Sequence, residues 1–242
     1  MLPSLPQHVE HVVVVPDGNR RWAKKKNLPP FFGHRAGMKA MEEIAVAALK
    51  SGIPYFTVWG SSVANVTRRS PAEIKFLLSV FESALKKLAA RKELRRDGIR
   101  VRVIGRWQEL FPENLKKVIR HLLRLTEKNN RRHLTLLMAY DGREEMTQAV
   151  KKVAELAANK KNFEIEKIDT TTIKNNLWTA DLPPVDLVIR TGGEPHWSAG
   201  MMMWEVAEAQ LYFTPTLWPD FSPAEFQKAL DYYSKTERRF GN

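Results

Sequence analysis

Cysteine is absent from all 242 residues. That absence excludes a disulfide framework, a Cys-ligated zinc and an iron–sulfur cluster, and it makes the reducing cytoplasm the expected compartment. Long apolar runs are also lacking. In the opening MLPSLPQHVEHVVVV the longest run is the four valines at residues 12–15, with no basic stretch before it. Neither a signal peptide nor a spanning helix of about 20 apolar residues is therefore expected. Acid is scarce relative to base: 27 Asp and Glu stand against 39 Lys and Arg, a net charge of +12. Such an excess points to an anionic partner, whether nucleic acid, an anionic membrane surface or a phosphorylated substrate. Hydrophobic residues make up 43% of the chain and aromatics 10%, enough for a packed core.

What is present alternates. Residues 11–16, 55–60, 99–105, 133–140 and 185–190 are largely apolar and bounded by Gly, Pro or Asp, which predicts short buried strands. Between them, residues 35–51, 71–95, 108–130 and 143–158 carry apolar side chains at three- and four-residue spacing, which predicts helices. In the second, Ile74, Leu77, Leu78, Phe81, Leu85 and Leu88 make one stripe, opened by Ser70 as N-cap and Pro71 at the first helical position. This order predicts an α/β fold with a mainly parallel central sheet flanked by helices on both faces, and ligand sites beyond the carboxyl ends of the strands. No repeat or low-complexity linker divides the chain, and residues 157–169 read as an exposed excursion within one domain.

The candidates for chemistry fall where strands end. After the first strand comes Pro16-Asp17-Gly18-Asn19-Arg20-Arg21-Trp22, a turn leading into a basic helical start. Backbone N–H groups there can cradle phosphate oxygens, with Arg20 and Arg21 supplying charge-assisted hydrogen bonds. Phosphate would repel Asp17 unless that side chain carried a divalent cation or a proton, which suggests a Mg²⁺-bridged diphosphate. The plainer reading is that Asp17 caps the turn and pairs with an arginine. A second basic segment, Arg190-Thr191-Gly192-Gly193-Glu194, follows the last of these strands, where Arg190 could equally form an ion pair with Glu194.

Taken together, the segments HVVVVPDGNRRWA at residues 11–23, GHRAG at 33–37, DLVIRTGGE at 186–194, LYFTPTLWPDF at 211–221 and ERRFG at 237–241 resemble the cis-prenyltransferase family, whose best-known members are the undecaprenyl diphosphate synthases. The resemblance runs in order over about 230 of the 242 positions. It implies a homodimer of one α/β domain per subunit, spanning residues 1–242 with residues 1–10 as an extension and 236–242 as a C-terminal tail. It further implies condensation of isopentenyl diphosphate with an allylic diphosphate above a hydrophobic tunnel, with Mg²⁺ as cofactor. By the same resemblance Asp17 matches the essential aspartate that positions Mg²⁺. Gly18, Asn19, Arg20, Arg21 and Trp22 match the loop around the allylic diphosphate, and His34 reaches the same group. Asn65 and Arg68 match the polar pair after the second strand. Arg190, Ser198 and, in place of an arginine, a protonated His196 match ligands of isopentenyl diphosphate. Arg239 and Gly241 match an Arg-x-Gly element that reaches across to the partner's active site.

Five departures from the family pattern stand out. Gln210 replaces the second metal-linked Glu, and Pro30 replaces an Arg before Gly33-His34. The segment from Glu194 to Trp204 carries one extra residue, Ala64 and Val66 replace a Glu and a Trp, and Ala139-Tyr140-Asp141-Gly142-Arg143 replaces Asn-Tyr-Gly-Gly-Arg. The losses fall mainly on the isopentenyl diphosphate side. They leave open a chain-elongating synthase, a synthase of short or irregular products such as the head-to-middle lavandulyl type, and a non-catalytic accessory subunit. Phe76, Leu77, Val80, Phe81 and Ala84 are the expected tunnel wall. The basic runs at residues 24–26 and 91–96 lack any helix-turn-helix, RRM or zinc spacing, so no nucleic-acid partner is expected. They read as solvated faces suited to peripheral contact with an anionic membrane, which would place a cytoplasmic enzyme beside lipid.

Overall fold

A computed structural model of the chain describes residues 9–159 and 164–236. In chain order it contains β1 (His11–Val15), α1 (Asn19–Lys25), α2 (Pro30–Lys50), β2 (Tyr55–Trp59), α3 (Val63–Thr67), α4 (Pro71–Ala89), α5 (Glu93–Arg96) and β3 (Ile99–Ile104). It continues with α6 (Trp107–Leu110), α7 (Glu113–Thr126), β4 (Arg132–Leu137), α8 (Gly142–Asn159), α9 (Thr170–Asn176), β5 (Leu187–Arg190), β6 (Gln210–Phe213) and α10 (Pro223–Lys235). Short 3₁₀ turns cover Ile165–Lys167 and Trp218–Asp220.

The six strands form one sheet in the order β3-β4-β2-β1-β5-β6, and every pairing is parallel. After His11, β1 is apolar from Val12 to Val15 because both of its faces are covered. Val12 and Val14 enter a core with Ile44 of α2, Leu77 of α4 and Leu230 of α10, whereas Val13 and Val15 pack with Tyr140, Leu182, Met201 and Met202 on the opposite face. The side chains of a strand alternate between faces, so a strand covered on both sides reads as a continuous apolar run.

The expected helix over residues 71–95 ends at Ala89 and restarts as α5, and that over 108–130 is two helices, α6 and α7. Pro112 is the N-cap of α7; lacking an N–H and disfavouring helical geometry in the residue before it, it cannot continue α6. β6 was not anticipated. It is four residues long, lies at the sheet edge and is only partly buried, so it lacks the apolar run that marks β1.

The order of strands sets the position of any ligand site. From β1 the chain passes to β2 on one side, and only after β3 and β4 does it cross to β5 on the other. The crevice beyond the carboxyl ends of β1 and β5 is thus the topological switch point, where open α/β sheets bind ligands.

At the opposite end of β1, His11 is fully buried. Its ring contacts Thr57 Oγ1 at 2.8 Å and the Pro183 carbonyl at 3.0 Å. Burial lowers its pKa to about 4, against the opposing Pro183 hydrogen bond and the Asp186 charge. The unfolded chain therefore binds a proton that the folded chain refuses. This contribution to stability is complete above about pH 6.5 and is lost progressively down to about pH 4. His34 and His133, both also held low, add slopes of the same sign. Denaturant unfolding should lose several kcal/mol over this window, of which His11 accounts for about 3 kcal/mol. In His11→Gln the loss should shrink by about that amount, and an unchanged pH slope would contradict the assignment.

Candidate active site

Asp17 follows β1 directly, and its backbone is fixed from three directions. Its N–H donates to Thr191 Oγ1 at 2.9 Å, and its carbonyl accepts from the Thr191 hydroxyl at 2.8 Å and from the Trp218 N–H at 2.9 Å. The carboxylate, one-third exposed, lies between two guanidinium groups, with Arg21 at 3.1 Å and Arg190 at 3.0 Å. Of the alternatives open from sequence, the pairing of Asp17 with an arginine is observed, and twice over. The pairing of Arg190 with Glu194 is not: Glu194 instead meets Arg21 at 2.9 Å.

Arg190 ends β5 with its side chain only 5% exposed. A guanidinium so buried needs acceptors. Besides Asp17, it donates to the His196 carbonyl at 2.6 Å and to Ser198 Oγ at 3.0 Å. The loop carrying His196 and Ser198 is therefore folded around Arg190, while the His196 imidazole, half exposed, lies 3.0 Å from Ser198 Oγ. Farther on, Met202 N–H donates to the Tyr140 hydroxyl at 3.1 Å, and Tyr140 bonds to Glu145. Thr179 Oγ1 lies 2.8 Å from both Glu145 and Glu205, and Lys174 contacts Glu205 at 2.7 Å. Burial pushes the Glu145 carboxyl above its usual range, against the opposing hydrogen bonds from Tyr140 and Thr179.

Two glycines bring α2 against α1. A methyl at Gly33 would lie 2.0 Å from the Asn19 carbonyl oxygen, and one at Gly37 2.2 Å from Asn19 Oδ1. Only hydrogen fits there, and the close approach buries His34 on the same helix face. His34 Nε2 lies 3.4 Å from Arg69 and 3.7 Å from Glu73. Burial and the Arg69 charge together hold its pKa below the ordinary imidazole value, so the ring is neutral at pH 7 in the free protein.

Across the cavity, Ser62 and Asn65 form a reciprocal cap on α3, each side chain bonding the other's backbone N–H at 3.1 Å. This commits Asn65 Oδ1 and leaves its amide donors for the cavity. Of the two adjacent arginines beside it, the structure places Arg68 exposed and Arg69 in the cavity lining. The reason is that α3 ends at Thr67 and Arg68 is only its C-cap, whereas Arg69 turns inward to Glu73 in the first turn of α4, at 2.9 Å.

Asp17, Asn19, His34, Asn65, Arg69, Arg190 and Ser198 line one cavity of about 400 Å³. Three of its lining residues carry a buried polar atom without a partner: Asn19 Oδ1, Trp59 Nε1 and Arg190 Nε. Buried polar atoms are normally satisfied; of these, Asn19 Oδ1 packs against Gly37. On the other side, Met38, Met41, Leu77, Val80 and Phe81 make an apolar wall. Past Met38 and Met41, which line both spaces, lies a second, mainly apolar cavity of about 550 Å³ between α2, α4 and the sheet. Of the expected wall residues, Ala84 lines this second cavity and Phe76 lies outside, against Phe31.

Other expected site residues stand elsewhere. Arg20 lies at the rim, 61% exposed and 3.8 Å from Glu73. Trp22 does not line the cavity; its Nε1 donates to Asp220 at 2.7 Å and ties α1 to the turn after β6. Gln210 is not beside Asp17. It opens β6 opposite Leu187, three residues before the Arg190–Phe213 pair, about 10 Å away along the strand. Arg239 and Gly241 lie outside the described residues. Trp218, Thr191, Met38 and Met41 were missed: Met38 and Met41 lie outside the family motifs, and Thr191 and Trp218, inside them at residues 186–194 and 211–221, carry no charge that singles them out.

Residues 15–241 match a family model described as "putative undecaprenyl diphosphate synthase". The chain is 37% identical over 232 residues to the tritrans,polycis-undecaprenyl-diphosphate synthase (geranylgeranyl-diphosphate specific) of Pyrococcus horikoshii, covering 96% of this chain and 86% of that one. It is also 37% identical over 239 residues to the ditrans,polycis-undecaprenyl-diphosphate synthase ((2E,6E)-farnesyl-diphosphate specific) of Escherichia coli, covering 98% and 92%. Among solved structures, lavandulyl diphosphate synthase from Lavandula x intermedia in complex with dimethylallyl diphosphate superimposes with a TM-score of 0.86 at 31% identity, covering 96% and 98% of the two chains.

The glycine contacts are directly testable. Gly33→Ala meets a backbone carbonyl, whereas Gly37→Ala meets mainly side-chain atoms of Asn19 and Trp218. Both should destabilise by about 1–3 kcal/mol, Gly33→Ala by more, and both should weaken inorganic diphosphate binding measured by calorimetry. Wild-type stability in Gly33→Ala would show that α1 and α2 are not held this closely.

Proposed function

This chain belongs to the undecaprenyl diphosphate synthase family, and on that premise we propose that it condenses isopentenyl diphosphate with an allylic diphosphate to give a cis-polyprenyl diphosphate. The observation that carries this reading is a pair of neighbouring cavities of unlike character: one is lined by arginines around Asp17, and the other, mainly apolar, shares Met38 and Met41 with it. Ionising an allylic diphosphate leaves anionic charge on the departing oxygens and an allylic cation on carbon. Catalysis therefore needs cationic donors at one end and a dry wall at the other. Arg69, the Asn65 amide and the first-turn N–H groups of α1, which no side chain caps, would hold the allylic diphosphate. Arg190 and Ser198 would hold isopentenyl diphosphate, and the growing chain would enter the second cavity.

His34 is neutral before substrate arrives, and diphosphate oxygens beside it would favour its protonation. Asp17 lies at the boundary between the two diphosphates, held in place by Arg21 and Arg190. A cation shared with substrate would have to take Asp17 oxygens that Arg21 and Arg190 hold at 3.1 and 3.0 Å. Among the described residues no three His, Asp or Glu side chains gather to hold a metal, and Asp17 is the acid among those lining the cavity. Mg²⁺ commonly takes one or two carboxylates and completes its shell with substrate phosphates and water. When bound, it would offset diphosphate charge. We further propose a homodimer in which the tail with Arg239 and Gly241 completes the partner's site, in a cytoplasmic protein whose lipid product leaves through membrane contact.

The likeness to lavandulyl diphosphate synthase supports a second reading, an irregular coupling of five-carbon units. The second apolar cavity favours elongation, because joining two short units needs no such chamber. Labelled isopentenyl diphosphate offered with C5 to C20 allylic primers, with Mg²⁺ or EDTA, decides between them. Elongated products that require Mg²⁺ are expected. A ten-carbon product from dimethylallyl diphosphate alone would establish irregular coupling, and no product under any condition would indicate a non-catalytic subunit.

Asp17→Ala should lower turnover about a thousandfold or more with the fold retained by circular dichroism, and near wild-type rates would remove Asp17 from the chemistry. Deleting residues 239–242 should also reduce activity strongly. Mixing that deletion with Asp17→Ala chains should restore part of it, since one site in each mixed dimer would then have both an intact Asp17 and a tail. With mixed dimers verified, absence of rescue would count against a shared site.

A further inference from the structure

Residues 19–41 carry seven cations and no acid. Two of the seven, Arg20 and Arg21, belong to the site described above. The other five, Lys24, Lys25, Lys26, Arg35 and Lys39, are exposed and make no contact with the cavity holding Asp17. Nine consecutive residues, 24–32, are exposed. The stretch is not simply polar, because Leu28, Phe31 and Phe32 show 37%, 40% and 39% of their surface to solvent. Exposed aromatics in a cluster call for an explanation, since isolated ones do not. Phe31 and Phe32 pack on each other at 4.7 Å, and Phe31 on Phe76 at 5.5 Å, so they form one patch and not separate platforms for stacking bases.

Helical spacing extends the patch. Residues 31, 35 and 39 lie four apart on α2, which places Phe31, Arg35 and Lys39 on one face. A groove of about 440 Å³ runs between α2 and α4, with Phe76, Val80 and Ala84 on its floor and Arg35, Lys39 and Lys87 on its rim. Its acid, Glu42, is paired with Arg91 at 3.1 Å. Met38 lines this groove and both internal cavities. The groove thus runs along the outer side of the apolar passage.

We infer that the lysines at residues 24–26 together with Leu28, Phe31, Phe32, Arg35 and Lys39 form a docking surface for an anionic lipid bilayer. Charge complementarity and an apolar edge select this partner. Lysines attract the anionic surface from a distance, and apolar side chains then enter the interfacial layer, the combination found on interfacial helices. Docked in this way, the groove would lie against lipid beside the passage. That use rests on the proposed synthase activity, whereas the binding itself does not.

The test is co-sedimentation of the full chain with phosphatidylcholine vesicles, with and without phosphatidylglycerol, in the absence of substrate. Binding is expected only with the anionic lipid and should weaken as salt is raised. Changing residues 24–26 to Gln should reduce affinity about a hundredfold, at about fivefold per lysine. Phe31→Ser with Phe32→Ser should leave a weak, fully salt-sensitive association. Because the aromatic pair touches Phe76, the lysine variant, which touches no core residue, keeps the test sound should that double variant fail to fold. Quenching of tryptophan fluorescence by brominated lipid gives a second readout where it is lost in Trp22→Phe, since Lys26 packs on the Trp22 ring at 4.8 Å. Failure to bind anionic vesicles, or binding unaffected by the lysine changes, overturns the proposal. So does a change in oligomeric state in the patch variants, which would make this face an interface between copies, or a gel shift with nucleic acid abolished by the same lysine changes. Condensation activity assayed in detergent without vesicles separates this outcome from failure of the synthase reading.

Discussion

A carboxylate held between two guanidinium groups organises this site. Arg190 is almost wholly buried at the end of β5, where an unpaired cation would be costly. Asp17, carried to the same level by the parallel pairing of β1 with β5, supplies the compensating charge. Nη1 of Arg190 then fixes the His196 carbonyl and Ser198, and Arg21 closes the other side of Asp17 while holding the Gly192 carbonyl at 2.8 Å. Two loops far apart in sequence are joined by charges that neither could bury alone.

Backbone proximity does the rest of the assembly. Trp218 bridges two parts of the site, its N–H bonding Asp17 and its Nε1 donating to the Gly37 carbonyl at 2.8 Å. The glycines of α2 permit that helix to lie on Asn19. These contacts bring His34 and the apolar side chains Met38 and Met41 to the same cavity as Asp17, so one helix contributes both to the diphosphate end and to the passage beyond. The low pKa of His34 follows from the same closeness, because the burial that positions the ring also penalises its charge.

Among the cations of this chain, two sets stand in different surroundings. Arg21, Arg69 and Arg190 are partly or fully buried, paired with Asp17, Glu73 and Glu194, and grouped at the crevice. The lysines at residues 24–26 are exposed beside apolar side chains. The first set suits small anions in a confined space, and the second an extended anionic surface, which is why composition alone could indicate an anionic partner without separating the two.

Much of the architecture was legible in the chain. The apolar runs ended in five buried parallel strands, and the Ser70-Pro71 start and its stripe became α4, because burial on two faces and helical periodicity leave patterns that depend on neighbouring residues alone. β6 escaped because a four-residue edge strand with three partly buried residues and an exposed Leu211 carries little of that pattern. The ordered motifs likewise pointed to Asp17, His34, Asn65 and Arg190 as one site. Which of two adjacent arginines enters the cavity, Arg68 or Arg69, depended on where α3 stops and α4 begins. That Trp22 braces a turn and Gln210 sits away from Asp17 depended on strand register and on contacts across the whole chain. The sequence by itself therefore determined the alternation of elements and the chemistry available at the strand ends. The partners of each charge and the placing of Met38 and Met41 against both cavities were decided only by tertiary structure, because they are distances between residues that no local spacing encodes.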